Sequence, residues 1–381
     1  MNRRKFLVLA GGGVILAAGG TFGFVASRYP HKAVEPWEQA GSLYSEPRKK
    51  ALSHAILAPN PHNRQPWLVD LNKPDKVVLT VDTQKMLPHT DPFHRQITIG
   101  LGCFLEVMTM AAAEDGYRVE LELFPQGSDT KALDGRPVAV ATFSKDSSVR
   151  PDPLFAHVLN RRSLKEPYDV SRPVADDVLQ RIKTTSSNGS VAGTQNKEDH
   201  VETLRTLTHE ALEIELDTPR THKESVDLFR IGKTEIEANP DGIDFSGPFF
   251  ETMHFVGGMT REGSLDPNSL EFSEGKKAVF AQTDTAMAHL WLTTPGNSRK
   301  DQINAGRDWV RINLAATREN VGIQPLSQAL QEYGEMQSHY QRVHKLLAED
   351  GHTIQMLARL GYADPVPPSP RWPLEAKILK E

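Results

Sequence analysis

A single cysteine, Cys103, stands among 381 residues. That excludes an intrachain disulfide framework and any zinc or iron–sulfur site built on several thiolates. Cys103 lies in an apolar stretch, where a free thiol packs as a small hydrophobe. An excess of positive charge is also missing. The 44 Lys and Arg face 49 Asp and Glu, a formal charge of −5, which argues against a nucleic-acid binder. No G-x-S-x-G elbow, Walker loop or H-E-x-x-H helix occurs, so the usual carriers of serine, phosphate-cradling and zincin chemistry are lacking. His89, Asp91 and His94 share a proline-interrupted loop, but their irregular spacing suits helix caps, and no metal is expected there. What is present, 38% hydrophobic and 24% charged residues, suffices for a packed core. The length fits two domains or one large two-lobed one.

Residues 1–27 hold Arg3, Arg4 and Lys5 and no acid, and the twenty residues from Phe6 to Val25 are uncharged. A charged start, an apolar run and small residues near Ala26-Ser27 match an export signal. Arg3-Arg4-Lys5-Phe6-Leu7 resembles the bacterial twin-arginine signal. The expected location is the periplasm. The run is also long enough to remain as a membrane anchor.

Pro30, Pro36 and Pro47 punctuate residues 28–47, which read as a linker or wrapping arm. Leu52, Ala55 and Ile56 predict a helix over 48–58, stopped by Pro59-Asn60-Pro61. Strands are predicted at 76–82, 117–124 and 136–143, and a long apolar helix with small residues at 97–114. Further on, helices are predicted at 153–162, from about Ala175, over 198–238, at 301–319 and at 337–349, with a closing strand at 353–360. Residues 239–280 are rich in Gly, Pro, Asp and Ser and predict a long lid-like loop. The fold class is α+β. One module is expected over 48–150 and a second over 151–381, the two halves rhyming without an exact repeat.

Two constellations suggest binding. In Ala58–Trp67, three prolines stiffen a turn that offers the carboxamides of Asn63 and Gln65 beside Trp67, a surface for a planar heterocycle. Its plainer use is to satisfy neighbouring backbone. In Leu159–Lys165, Arg161, Arg162 and Lys165 with Ser163 form a donor cluster suited to an anion. Its plainer reading is a solvated helix end. Arg371 stands on a third, proline-stiffened segment.

PNPHNRQPW, LNRRSLK and GYADPVPPSPRWPL together resemble the signatures of the FMN-dependent nitroreductase family. The length and rhyming halves are similar to its Acg-like branch, in which two modules are fused. The resemblance implies a three-layer sandwich and a tandem pseudo-dimer, with antiparallel or mixed sheets flanked by helices. It implies one FMN between the modules of a monomer, further dimerisation being open. Arg161, Arg162, Ser163 and Lys165 would hold the phosphate and the ring's polar edge, and Arg371 would join at the phosphate. Pro59, Asn60, Pro61 and Asn63 would contact ribityl and ring, with Gln65 close by. Gly322–Gln328, with Pro325 and Ser327, resembles the segment beside the flavin's reactive nitrogen. The family commonly has a Glu-Gly-like ending where this chain has Ser327-Gln328. The implied activity is electron transfer from reduced FMN to a nitroaromatic or quinone-like small molecule, without a catalytic side chain. Outside the cytoplasm the donor would be a membrane quinol or a redox protein. The alternative is a flavin-sequestering protein closed by its lid.

Overall fold

The computed structural model describes residues 28–380; the export signal expected at 1–27 lies outside them. Residues 28–47, expected as a linker or arm, contain helix α1 (His31–Gln39), which buries Ala33, Val34 and Trp37. The spacing of these three, i, i+1 and i+4, is that of a one-sided helix.

The first half continues with α2 (Pro47–Ala55), β1 (Trp67–Asp70), β2 (Lys76–Val81), α3 (Arg95–Glu114), β3 (Tyr117–Leu123) and β4 (Ala139–Lys145). Its four strands form an antiparallel sheet ordered β1-β2-β4-β3. The second half has α4 (Asp176–Lys183) and β5 (Val191–Gln195). An inserted lobe follows: α5 (Glu198–Asp217), α6 (Pro219–Asp227), β6 (Phe229–Ile231), α7 (Gly232–Ala238), β7 (Ile243–Phe245), α8 (Pro248–Phe255), α9 (Arg261–Leu265) and α10 (Leu270–Thr283). The main body resumes with β8 (Ala288–Thr294), α11 (Arg299–Arg318), β9 (Gly322–Pro325), α12 (Gln337–Leu347) and β10 (Thr353–Gly361). The second antiparallel sheet is ordered β5-β8-β10-β9. Strand for strand this repeats the first. Each half has a helix, two strands, a long helix and two strands; the second half adds the insertion between its first two strands and α12 between its last two.

Three expectations are corrected. The 239–280 segment is not a structureless loop: β7 pairs in parallel with β6, and α8, α9 and α10 start at Pro248, a Thr260 cap and a Ser269 cap. The 153–162 helix is a 3₁₀ helix over Pro153–Asn160. The 198–238 helix breaks at Thr218-Pro219 and at β6.

The halves meet where α3 crosses α11. Both helices have 20 residues. Arg95 and Arg299, Ile99 and Ile303, and Gly102 and Gly306 hold the same positions along them. A Cβ on Gly102 would stand 2.1 Å from the Ile303 carbonyl oxygen, and one on Gly306 2.0 Å from that of Ile99. The contact is reciprocal, as at a twofold interface, and only glycine permits it. Helix α3 is long and apolar enough to cross a membrane, yet it is mostly buried within the core.

Candidate functional site

The turn after α2 lies against α3, where a Cβ on Gly100 would be 3.1 Å from that of Asn60. His62, Asn63 and Gln65 all take left-handed backbone, at φ 48, 51 and 50°. Three such non-glycine residues in one turn cost conformational energy that must be offset by surrounding contacts. Here they are. The Asn60 carboxamide oxygen accepts the Gln65 N–H at 2.7 Å, and Lys377 Nζ donates to the Gln65 carbonyl at 2.7 Å. The Gln65 side chain is fully buried and fully engaged: Nε2 donates to the Pro240 carbonyl at 2.7 Å, and Oε1 accepts the Trp372 N–H at 2.9 Å. Gln65 thus ties the turn to the insertion and to the C-terminal segment, with its polar atoms committed to protein partners.

Arg371 comes to this turn from the other end of the chain. Its Nη1 donates to Asn63 Oδ1 at 2.7 Å, and its Nη2 to the carbonyls of Leu57 and Ala58 at 3.1 and 3.3 Å. Asn63 Nδ2 donates to the Pro370 carbonyl at 2.9 Å. Arg161 reaches the same Leu57 carbonyl at 3.3 Å. The front turn, the Arg161-Arg162 pair and Arg371, some 300 residues apart at the extremes, therefore converge. Trp37 of α1 sits among them, its ring centroid 4.7, 5.3 and 5.9 Å from the guanidinium carbons of Arg162, Arg371 and Arg161. Its Nε1 donates to the Ser369 carbonyl at 2.8 Å.

This cluster is charged and undercompensated. Arg161 and Arg371 are buried, and among the described residues no carboxylate lies within ion-pair distance of either or of Arg162. Arg161 Nη1, Arg162 Nε, Arg371 Nε and His62 Nδ1 are buried without a hydrogen-bond partner among the described residues. Burial, then repulsion from Arg162, pushes Arg161 down to about 10. Burial, then Arg161, pushes Arg371 down as well. Burial holds His62 neutral, pushed down to about 4, with Lys165 and Arg64 acting in the same direction. Buried guanidinium groups that keep unspent N–H donors call for an anion. A phosphate would satisfy them.

The remaining predicted residues fall around this centre. Pro59 is buried, Pro61 is half-buried and Ser163 is half-buried. Lys165 is exposed and lies near His62 and Asp244. The Leu164 N–H donates to the Ile323 carbonyl at 3.0 Å, which sets the Arg161–Lys165 segment beside β9. Pro325 ends that strand, paired with Ala358, and the buried Ser327 hydroxyl faces the Met356 sulfur at 4.0 Å. They lie on and just after the edge strand of the second sheet.

Sequence reasoning missed four contributors. Trp37 signalled itself only through the one-sided spacing of α1. His62 was part of the stiff turn, but its left-handed backbone has no sequence marker. Asp241, buried in the insertion, binds Lys85 Nζ at 2.6 Å and Arg230 at 2.8 Å, clamping the insertion over the front turn. Arg359 is fully buried on β10 and donates to the carbonyls of Leu164 and Glu166 at 3.4 and 2.7 Å, and to Gln324 at 2.6 Å. It fixes the backbone on either side of Lys165.

No protein-family profile matches the chain. The Mycobacterium tuberculosis H37Rv protein "Putative NAD(P)H nitroreductase Rv3131" is 23% identical over 333 residues, which is 86% of this chain and 89% of that one. "Putative NAD(P)H nitroreductase acg" of the same strain is 28% identical over 144 residues, 38% of this chain. The match spans less than half of that relative, 42% of its length. Among solved structures, the FMN-dependent nitroreductase NfnB from Mycobacterium smegmatis in complex with NADPH aligns at a TM-score of 0.36 and 14% identity, over 58% of this chain and 94% of that one. A nitroreductase with bound FMN from Desulfitobacterium hafniense aligns at 0.33 and 13%, over 60% and 98%.

Proposed function

We propose that this chain is an FMN-binding oxidoreductase of nitroreductase type, with one cofactor held between its two modules. The observation that carries the reading is the cluster of buried Arg161 and Arg371 with half-buried Arg162, without a carboxylate in ion-pair distance among the described residues and with N–H donors unspent, Asp244 acting on Arg371 only from further off. The relatives' names add to it. The arginines would bind the phosphate, and Asn63, held by Arg371 and Pro370, would position the turn against it. Lys165, exposed beside His62, would contribute a donor at the ring's polar edge. Bound FMN would supply the hydride and electron transfer. The protein's own part is to bind, to orient and to exclude water. The acceptor would be a nitroaromatic or a quinone-like small molecule, and the donor a membrane quinol or redox protein if the chain is exported. The export reading rests on the Arg3-Arg4 start and the apolar run of residues 6–25.

The test is the visible absorbance of the purified protein, with identification of the released flavin. A flavin spectrum and recovered FMN support the reading; colourless protein that takes up no FMN on titration refutes it. Fusion of residues 1–27 to a reporter, assayed for twin-arginine-dependent export, tests the location.

A second reading, flavin sequestration, is favoured by the insertion's docking. Pro240 accepts from Gln65, the Gly242 N–H donates to the Asn63 carbonyl at 3.3 Å, and Asp241 binds Lys85. These contacts close the front turn on one side. Rapid reoxidation of the reduced protein by a quinone supports the enzyme, and protection of reduced FMN supports sequestration.

A further inference from the structure

The insertion carries a set of apolar side chains that its own packing leaves in solvent. Phe255 is 90% exposed, Leu270 74%, Val256 65% and Phe249 52%. Phe249 and Val256 are seven residues apart and so lie on one face of α8 and its final turn; Phe255 borders them. Leu270 opens α10 beside Thr260, whose N–H donates to Glu271 at 3.0 Å. Beneath α8 the packing is firm: Phe250 meets Phe245 edge-on at 5.2 Å, and Phe245 meets Phe229 at 4.7 Å. The exposed rings are thus presented by a supported helix. An apolar patch of this kind marks an interaction surface.

The described chain begins at the foot of the same lobe. The Lys32 N–H donates to Glu237 of α7 at 3.4 Å, and Tyr29 lies close enough to Asp244 of β7 to feel its charge. Strand β7 leads directly into α8. Only Ala26 and Ser27 separate Arg28 from the uncharged run that ends at Val25. Two residues reach at most about 7 Å. If that run is kept as an anchor, the bilayer surface lies within that reach of Arg28, at the foot of this lobe. The residues at the junction suit such a surface: Arg28, Tyr29, exposed His31 and exposed Lys32 are the cationic and amphipathic types favoured at lipid headgroups.

We propose that the face formed by α8, the turn after it and the start of α10 docks on a lipid bilayer, its aromatic side chains entering the headgroup region beside the N-terminal apolar run. This surface stands apart from the cofactor assignment and does not depend on it. Docking would bring the cluster around Asn63 and Arg161 close to lipid-dissolved electron carriers.

Because Cys103 is buried and is the sole cysteine, the full-length Phe255→Cys variant offers one accessible thiol. It would be labelled with an environment-sensitive fluorophore and reconstituted into vesicles of phosphatidylethanolamine and phosphatidylglycerol. The same label on the exposed front-lobe residue Ser147, as Ser147→Cys, is the reference. The expected result is a blue-shifted emission at position 255 and a several-fold loss of quenching by aqueous iodide, with the label at 147 remaining fully quenchable. Equal quenching at the two positions overturns the proposal. Shielding at 255 that persists in detergent micelles with a doubled particle mass also overturns it, and assigns the face to a second copy of the chain. Phe255 makes so little contact that its replacement leaves the melting temperature in place as a check on folding.

Discussion

Arg161 carries a guanidinium into the interior with one of its N–H groups unspent, and that single donor sets what the residue can do. Its worth in cofactor binding is that of a charge-assisted hydrogen bond, about 1.5–3 kcal/mol. Arg161→Ala is expected to lower FMN affinity by that amount in a fluorescence titration, while Arg162→Ala, whose Nη1 is already turned to the Leu159 and Arg161 carbonyls, is expected to lose less. Glu215 is a second residue whose state is set by burial, which pushes its carboxyl up to about 7, while the Gln331 amide at 2.6 Å pulls the other way. In the unfolded chain the group ionises near 4.5. The fold therefore keeps a proton that the unfolded chain gives up, and stability from this group is full at low pH and lost as pH rises from about 4.5 to about 7. The loss is of order 3 kcal/mol. Glu215→Gln should be more stable than the parent at pH 8 and gain little at pH 4.5, read from urea midpoints at the two values.

At the scale of elements, the crossing of α3 and α11 is the least forgiving contact. Gly306→Ala places a methyl 2.0 Å from the Ile99 carbonyl oxygen, so the helices must part. Overpacking of a core typically costs about 1–3 kcal/mol, and a backbone obstacle should put this variant at the upper end or beyond, measured as a fall in melting temperature. Much of the element plan was legible in the sequence. Leu52, Ala55 and Ile56 with the Pro59 stop marked α2, and strict alternation marked β2 and β3. The strand β8 escaped because it is covered on both faces, so His289, Leu290 and Leu292 are all buried and no period of two is visible. The strand β1, four residues behind a proline, is too short to show a pattern. Residues 239–280 read as a loop because α8 to α10 contain few core positions; the Thr260 and Ser269 caps and packing within the insertion hold them. The site was legible as stiff-turn and cation motifs, but the ties of Gln65 to Pro240 and Trp372 span the whole chain and leave no local trace.

For the whole molecule, the repeated strand order implies a second place related to the first by the internal twofold. The turn between α4 and β5 stands where the Asn63 turn stands between α2 and β1. There, the buried Asp308 accepts the N–H groups of Ser187, Asn188 and Ser190 at 2.7, 2.8 and 3.0 Å. These N–H groups are spent on the chain's own carboxylate, and the front half's Arg48 is spent on Glu46 and on the carbonyls of Leu71, Lys73 and Lys76. Released flavin should therefore equal one per chain rather than two, counted against protein by amino-acid analysis.

The reciprocal glycine contact also bears on how the two halves respond to cutting. The exposed connection around residues 147–151 joins them covalently, but the α3–α11 seam and the grip of Arg371 on the Asn63 turn hold them without it. Limited proteolysis at that connection should give two bands on a denaturing gel and one undivided peak on native gel filtration, with any bound flavin retained, since nothing that grips it runs through the severed peptide.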